Sequence, residues 1–167
     1  MSAGYRFGHH IRGQRQSDQP VCTFATDTAV QPNSFKKRRC LVPVGFYEWK
    51  RLDEKNKQPF AFDLLNSRMI AFAGLWDGWK DPANRVRLRS YTIITTGANE
   101  LMAPIHDRMP AILHPSDYDR WLDRDSDPDR PPLDLLRPFP ADEMEAFEVS
   151  ADVGNVKNNS PELLNSK

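Results

Sequence analysis

Arg39-Cys40-Leu41-Val42-Pro43-Val44-Gly45-Phe46-Tyr47-Glu48-Trp49-Lys50 is the stretch that decides how the rest of the chain is arranged. Leu41, Val42 and Val44 have the apolar and β-branched content of a short strand. Gly45 then permits a bend that presents Phe46-Tyr47-Glu48-Trp49 at a strand edge. A carboxylate flanked by Tyr47 and Trp49 is expected to be partly desolvated, which raises a carboxyl pKa towards the range where protons exchange near neutral pH. Two readings of Glu48 stand at this point: an acid–base group, or an exposed strand residue between two core aromatics.

Downstream, Lys50 to Lys57 reads as a charged hairpin tip, and Phe60, Phe62 and Leu64 then alternate as in a half-buried strand. Met69-Ile70-Ala71-Phe72-Ala73-Gly74-Leu75-Trp76 is apolar throughout, the pattern of a strand buried on both faces, and Asp77-Gly78-Trp79 is expected to end it. In the next strand, Val86 to Thr95, residues Arg85, Arg87 and Arg89 share one face. That face is either a solvated edge guarding against aggregation or a surface for phosphates. A short helix is expected from Asn99 to Ala103, stopped by Pro104, so that His106 falls in a loop framed by Pro104 and Pro110. Ser116 is the expected cap of a helix over Asp117 to Leu122 with Tyr118, Trp121 and Leu122 inward. Asp123 to Pro132 is acidic and Pro-rich, and Phe147 to Ser150 forms a last strand. Short strands joined by hairpins imply an α+β fold, with a mostly antiparallel, curved or barrel-like sheet and a few short helices.

With 167 residues the chain has room for one domain with a real core. Fourteen prolines against 8 glycines favour loops over long helices. No apolar run reaches the length of a membrane span and no signal pattern opens the chain, so a cytoplasmic or nucleoid location without membrane contact is expected. Cys22 and Cys40, without close Cys or His neighbours, suggest neither a disulfide framework nor a metal site, and adjacent His9 and His10 would point to opposite faces of a strand. No cofactor is expected. The net charge is zero, but residues 1–57 carry 11 Lys or Arg against 5 Asp or Glu, leaving 12 against 18 for the remainder. Lys36-Lys37-Arg38-Arg39 precedes the organising strand, where it could meet phosphates entering a site beside Glu48; a solvated loop is the alternative.

Four ordered segments carry a resemblance: Gly45 to Trp49, Thr95-Thr96-Gly97-Ala98-Asn99, Ile105-His106-Asp107-Arg108-Met109-Pro110, and Val149 to Glu162 with its Asp152-Val153-Gly154-Asn155 core. Together they resemble the SRAP family, the abasic-site processing proteins also called SOS-response-associated peptidases. The resemblance runs from Ser34 to Glu162, is weak between Asp119 and Glu145 and is lost before Ser34. It implies a single domain over 1–167, incomplete at its N-terminus, with 1–33 irregular or out of register. It also implies single-stranded DNA with abasic sites as partner, bound by a monomer.

In the family an N-terminal cysteine condenses its amine with the sugar aldehyde and closes a thiazolidine ring. By that resemblance Glu48 orients or deprotonates the amine and His106 shuttles a proton at the opened sugar oxygen, as imidazoles do near neutrality. Lys36, Lys37, Arg38, Arg39 and Arg108 are the implied phosphate contacts and Tyr47 and Trp49 the implied stacking rings. The chain departs from the family at its start, Met1-Ser2-Ala3, and at Asp18-Gln19-Pro20-Val21-Cys22-Thr23, where the spacing of a family segment is kept and its residues are not. Either a start-site or frame error or divergence would produce this. The alternatives in function are a catalytically inactive single-stranded DNA binder using Phe46, Tyr47 and Trp49 as a platform, and a peptidase acting on its own N-terminus.

Overall fold

The computed structural model describes residues 21–25, 32–43, 45–66, 69–125 and 130–165. Among them are eight strands: β1 (Val21–Ala25), β2 (Arg39–Pro43), β3 (Phe46–Arg51), β4 (Lys57–Leu64), β5 (Ala71–Lys80), β6 (Arg87–Gly97), β7 (Arg108–Pro110) and β8 (Met144–Glu148). Two short helices join them, α1 (Pro32–Lys37) and α2 (Tyr118–Leu122). Ser2, His9, His10 and Asp18 lie outside the described residues, as does the side chain of Cys22.

One sheet has the order β1-β6-β5-β2, with β7 added to the far end of β6; the other has the order β3-β4-β8. All pairings are antiparallel except β1 with β6, which runs parallel from Val21 opposite Ser90 to Ala25 opposite Ile94. Residues 21–25 are therefore a paired strand within the stretch read as irregular or out of register.

The apolar run of β5 is explained by what covers it. Phe72 packs with Val42, Phe62, Ile93 and Met144 between the two sheets, while Ala73 and Leu75 face Ile94, Trp121 and Leu135 on the opposite side. Burying a side chain such as Phe72 stabilises the fold by roughly 1.5–3 kcal/mol. Gly74 is required between them, because a Cβ there would lie 2.8 Å from Val42 Cγ2 and 3.0 Å from Cys40 Sγ.

Several expectations are corrected. β5 continues through Asp77-Gly78-Trp79 to Lys80, since those residues pair with Arg87 to Ser90 in a long hairpin. Arg85 leaves the arginine row, turning the hairpin with a left-handed φ of 63°. Ser116 lies inside a 3-10 turn over Pro115–Asp117 that runs into α2, and it caps nothing. Trp121 is fully buried, whereas Leu122 is 40% exposed and does not face inward. Asn99 to Ala103 closes a single turn, with Ala103 N–H donating to Asn99 O and His106 N–H to Met102 O.

Candidate active site

Glu48 sits in the middle of β3, directly opposite Phe60 of β4. Strand alternation places Phe46 and Glu48 on the inner face, and Tyr47 and Trp49 on the outer one. The contacts agree. Phe46 stacks on Phe62 at 4.8 Å and meets Phe72 edge-on at 5.3 Å, whereas Trp49 packs with Ala61, Val149 and Val153. Glu48 is thus 8% exposed, on the face of β3 that carries core-packed Phe46 and not on that of its sequence neighbours Tyr47 and Trp49. The exposed reading of Glu48 is overturned.

Burial pushes the Glu48 carboxyl above its ordinary range. The Trp49 N–H, 2.7 Å from Glu48 Oε1, and the charges of His106 and Lys57 pull it back in part. His106 therefore reaches Glu48 electrostatically from a separate loop, although 58 residues separate them in sequence. That loop is built by Asn99, whose side chain accepts from Met102 N–H at 2.9 Å and donates to Phe139 O at 2.8 Å. Buried Met102 and Met109 anchor its two ends.

The imidazole itself is held at Nδ1, which lies 3.0 Å from Arg108 N, 3.1 Å from Arg108 O and 3.1 Å from Asp107 Oδ1. The Arg108 N–H donates to Nδ1 and fixes the ring in place. Arg108 is positioned in turn by Thr95, donating from Nε to Oγ1 at 3.0 Å and from Nη2 to the Thr95 carbonyl at 2.9 Å. Thr95 opens one of the four segments that carry the resemblance, but its hold on Arg108 is not readable there because the two meet 13 residues apart across the β6–β7 pairing.

The outer face of β3 is closed by the C-terminal segment. Tyr47 donates its hydroxyl to Val153 O at 2.9 Å. Gly154 lies flat on Trp49, where a Cβ would be 2.8 Å from Cζ2. Trp49 is therefore half-buried, Phe46 belongs to the core, and only Tyr47, 36% exposed, keeps a ring at the surface. A three-ring platform is not formed.

The basic run divides. Helix α1 places Phe35 in the core on the side of the larger sheet away from β3, so Lys36 and Lys37 do not flank Glu48. Arg38 pairs with Asp77 and lies 5.7 Å from the Trp76 ring. Arg39 is 5% exposed and donates to the carbonyls of Phe35, Lys36, Trp121 and Asp123. Its guanidinium is a structural clamp, not a phosphate contact. Cys40 is half-buried at the start of β2, and burial pushes its thiol up to about 11, so it stays protonated at neutral pH. No cluster of three or more His, Cys, Asp or Glu suited to a metal occurs among the described residues.

A two-sheet α+β scaffold carrying a buried carboxylate and an anchored imidazole matches a known class. The family model described as SOS response associated peptidase (SRAP) matches residues 23–156, and the chain belongs to that family. The match reaches back past Ser34, into β1. The chain is 47% identical over 146 residues to the abasic site processing protein YoqW of Bacillus subtilis, covering 84% of this chain and 64% of that protein. It is 36% identical to the abasic site processing protein HMCES of Xenopus tropicalis, over 78% of this chain and 44% of that one. A crystal structure of a protein from Bacteroides thetaiotaomicron superposes with a TM-score of 0.73 at 28% identity, covering 81% of this chain and 59% of that one. The chain thus spans less than two thirds of the length of these relatives.

Proposed function

We propose that the protein binds single-stranded DNA at an abasic site and that Glu48 and His106 catalyse covalent capture of the opened sugar. The observation that supports this reading is a buried, desolvated Glu48 carboxyl that feels the charge of His106, whose ring is held by the Arg108 N–H.

His106 moves the anomeric hydroxyl's proton to the ring oxygen as the abasic deoxyribose opens to its aldehyde, and an amine attacks the aldehyde carbon. Glu48 takes the proton that the amine loses as the C–N bond forms and passes it to the former carbonyl oxygen; the second amine proton, carried by the same carboxylate, lets that hydroxyl leave as water and gives the imine. A carboxyl held above its ordinary range by burial is a stronger base than an exposed carboxylate and can give the proton back as an acid. By the family resemblance the attacking amine is the N-terminal one, outside the described residues. Arg108, oriented by Thr95, and Tyr47 are the groups we assign to the flanking phosphate and base. The protein acts in the cytoplasm, on nucleoid DNA.

A single-stranded oligonucleotide carrying one abasic site tests this. Incubation with borohydride should give a gel-shifted adduct, and the same lesion in a duplex should give far less. Equal yields on single strand and duplex, or no adduct on either, would refute the reading.

A further inference from the structure

We propose that a groove beside the β5–β6 hairpin is a second contact for DNA, a phosphate track that holds the single strand away from the reacting sugar. The inference rests on the function proposed above. The groove has a volume of about 770 Å³ and is lined by Arg38, Arg87, Arg89 and Arg124, with Trp76 and Tyr91 among its walls. Asp77 is the acid among its lining residues, and that carboxylate is already tied to Arg38. Four guanidinium groups against one paired carboxylate make the groove strongly cationic, although the whole chain is neutral.

The placement of the arginines follows from the hairpin. Arg87 and Arg89 are two apart on β6 and so project from the same face about 6.6 Å apart, comparable to successive phosphates of an extended strand. Arg89 is opposite Gly78, and Arg87 Nε lies 3.5 Å from where a Gly78 Cβ would be. The missing side chain lets the guanidinium lie along the sheet. Neither Arg87 nor Arg89 has a carboxylate partner among the described residues, and Arg89 is exposed. A row kept only to discourage edge pairing would not need to line a concave groove together with an arginine from another segment, Arg124.

The same strand connects this groove with the active site. Arg87, Arg89, Tyr91, Ile93 and Thr95 share one face of β6, and Thr95 is the residue that orients Arg108. From Arg89 to Thr95 the strand rises about 20 Å, so an oligonucleotide seated at Glu48 needs several further nucleotides to reach the groove. Binding should therefore strengthen with strand length.

The test uses intact and abasic single strands of about 4 and about 16 nucleotides, the bounds of single-strand site sizes. Fluorescence anisotropy across a salt series reads the groove. The double variant Arg87→Ser with Arg89→Ser should weaken binding of the long strand and flatten its log K against log salt slope by about 1.4, about 0.7 for each phosphate no longer neutralised. It should leave the short strand's affinity and the borohydride-trapped adduct on the short abasic strand unchanged. Arg87→Lys with Arg89→Lys should restore most of the slope, which separates a charge effect from a folding one. An unchanged slope in the Ser variant, equal affinity for long and short strands in the wild type, or equal weakening on duplex would overturn the track. Loss of the trapped adduct in the wild type would instead refute the proposed chemistry, since the groove is read on DNA without a lesion.

Discussion

Glu48→Gln should lower the rate of adduct formation on an abasic single strand by about two orders of magnitude or more, the usual worth of a positioned acid–base group, and should make the folded protein more stable at neutral pH. The two effects have one cause. Burial holds the Glu48 carboxyl above its ordinary pKa, so ionising it costs more in the folded chain than in the unfolded one. The folded state consequently retains a proton over a pH range where the unfolded state has lost it. Stability is full below the unfolded carboxyl pKa and declines as pH rises through the window up to the raised folded value. Gln keeps the shape and can still accept the Trp49 N–H, but it has nothing to ionise. Urea unfolding at several pH values checks this: the variant should exceed wild type at pH 7 and lose its advantage below the unfolded carboxyl pKa of about 4.3. A variant less stable than wild type at pH 7 would mean that the carboxylate is a structural anchor.

Arg39→Ala should destabilise the protein by about 3–5 kcal/mol, since each charge-assisted hydrogen bond is worth about 1.5–3 kcal/mol and the losses overlap. Arg39 is the junction between α1, β2 and the end of α2. Its guanidinium satisfies carbonyls of Phe35, Trp121 and Asp123 and lies 5.8 Å from the ring of Trp121, whose own Nε1 donates to Cys40 O at 2.9 Å. Truncation leaves these carbonyls without a donor in a place that water reaches poorly. Arg39→Lys should recover only part of the loss, because an ammonium cannot reproduce the planar fork. A loss under about 1 kcal/mol by denaturant titration, with an unchanged m-value, would show that water replaces the guanidinium and that Arg39 is free to serve another role.

The sequence made the strands of this region legible because their patterns are local. Phe60, Phe62 and Leu64 alternate, the β5 run is apolar on both faces, and Pro104 and Pro110 frame the His106 loop. The face taken by Glu48 was not legible. Each face of β3 mixes aromatic and polar residues, so either could turn inward, and here the choice is made by Phe46 stacking on Phe62 and by Gly154 receiving Trp49 from the far end of the chain. The Lys36 to Arg39 run misled for a related reason. Four adjacent charges read as one surface, but the helix ends at Lys37 and the strand begins at Arg39, so neighbours in sequence part in space. The Thr95–Arg108 hydrogen bonds and the electrostatic reach of His106 to Glu48 depend on which strands meet, and residue spacing alone does not contain that information.

That Glu48 and His106 act as one catalytic unit is tested most directly by a double-mutant cycle on the single-turnover rate of the borohydride-trapped adduct, with an abasic single strand in excess. Wild type, Glu48→Gln, His106→Ala and the double variant should all fold, as a cooperative unfolding transition with a wild-type m-value would verify. If the two groups hand one proton back and forth, each single variant loses most of the rate and the double variant is scarcely slower than the worse single one. Losses that multiply, with the double variant slower by the product of the two single effects, would mean independent roles and would contradict the shared acid–base site.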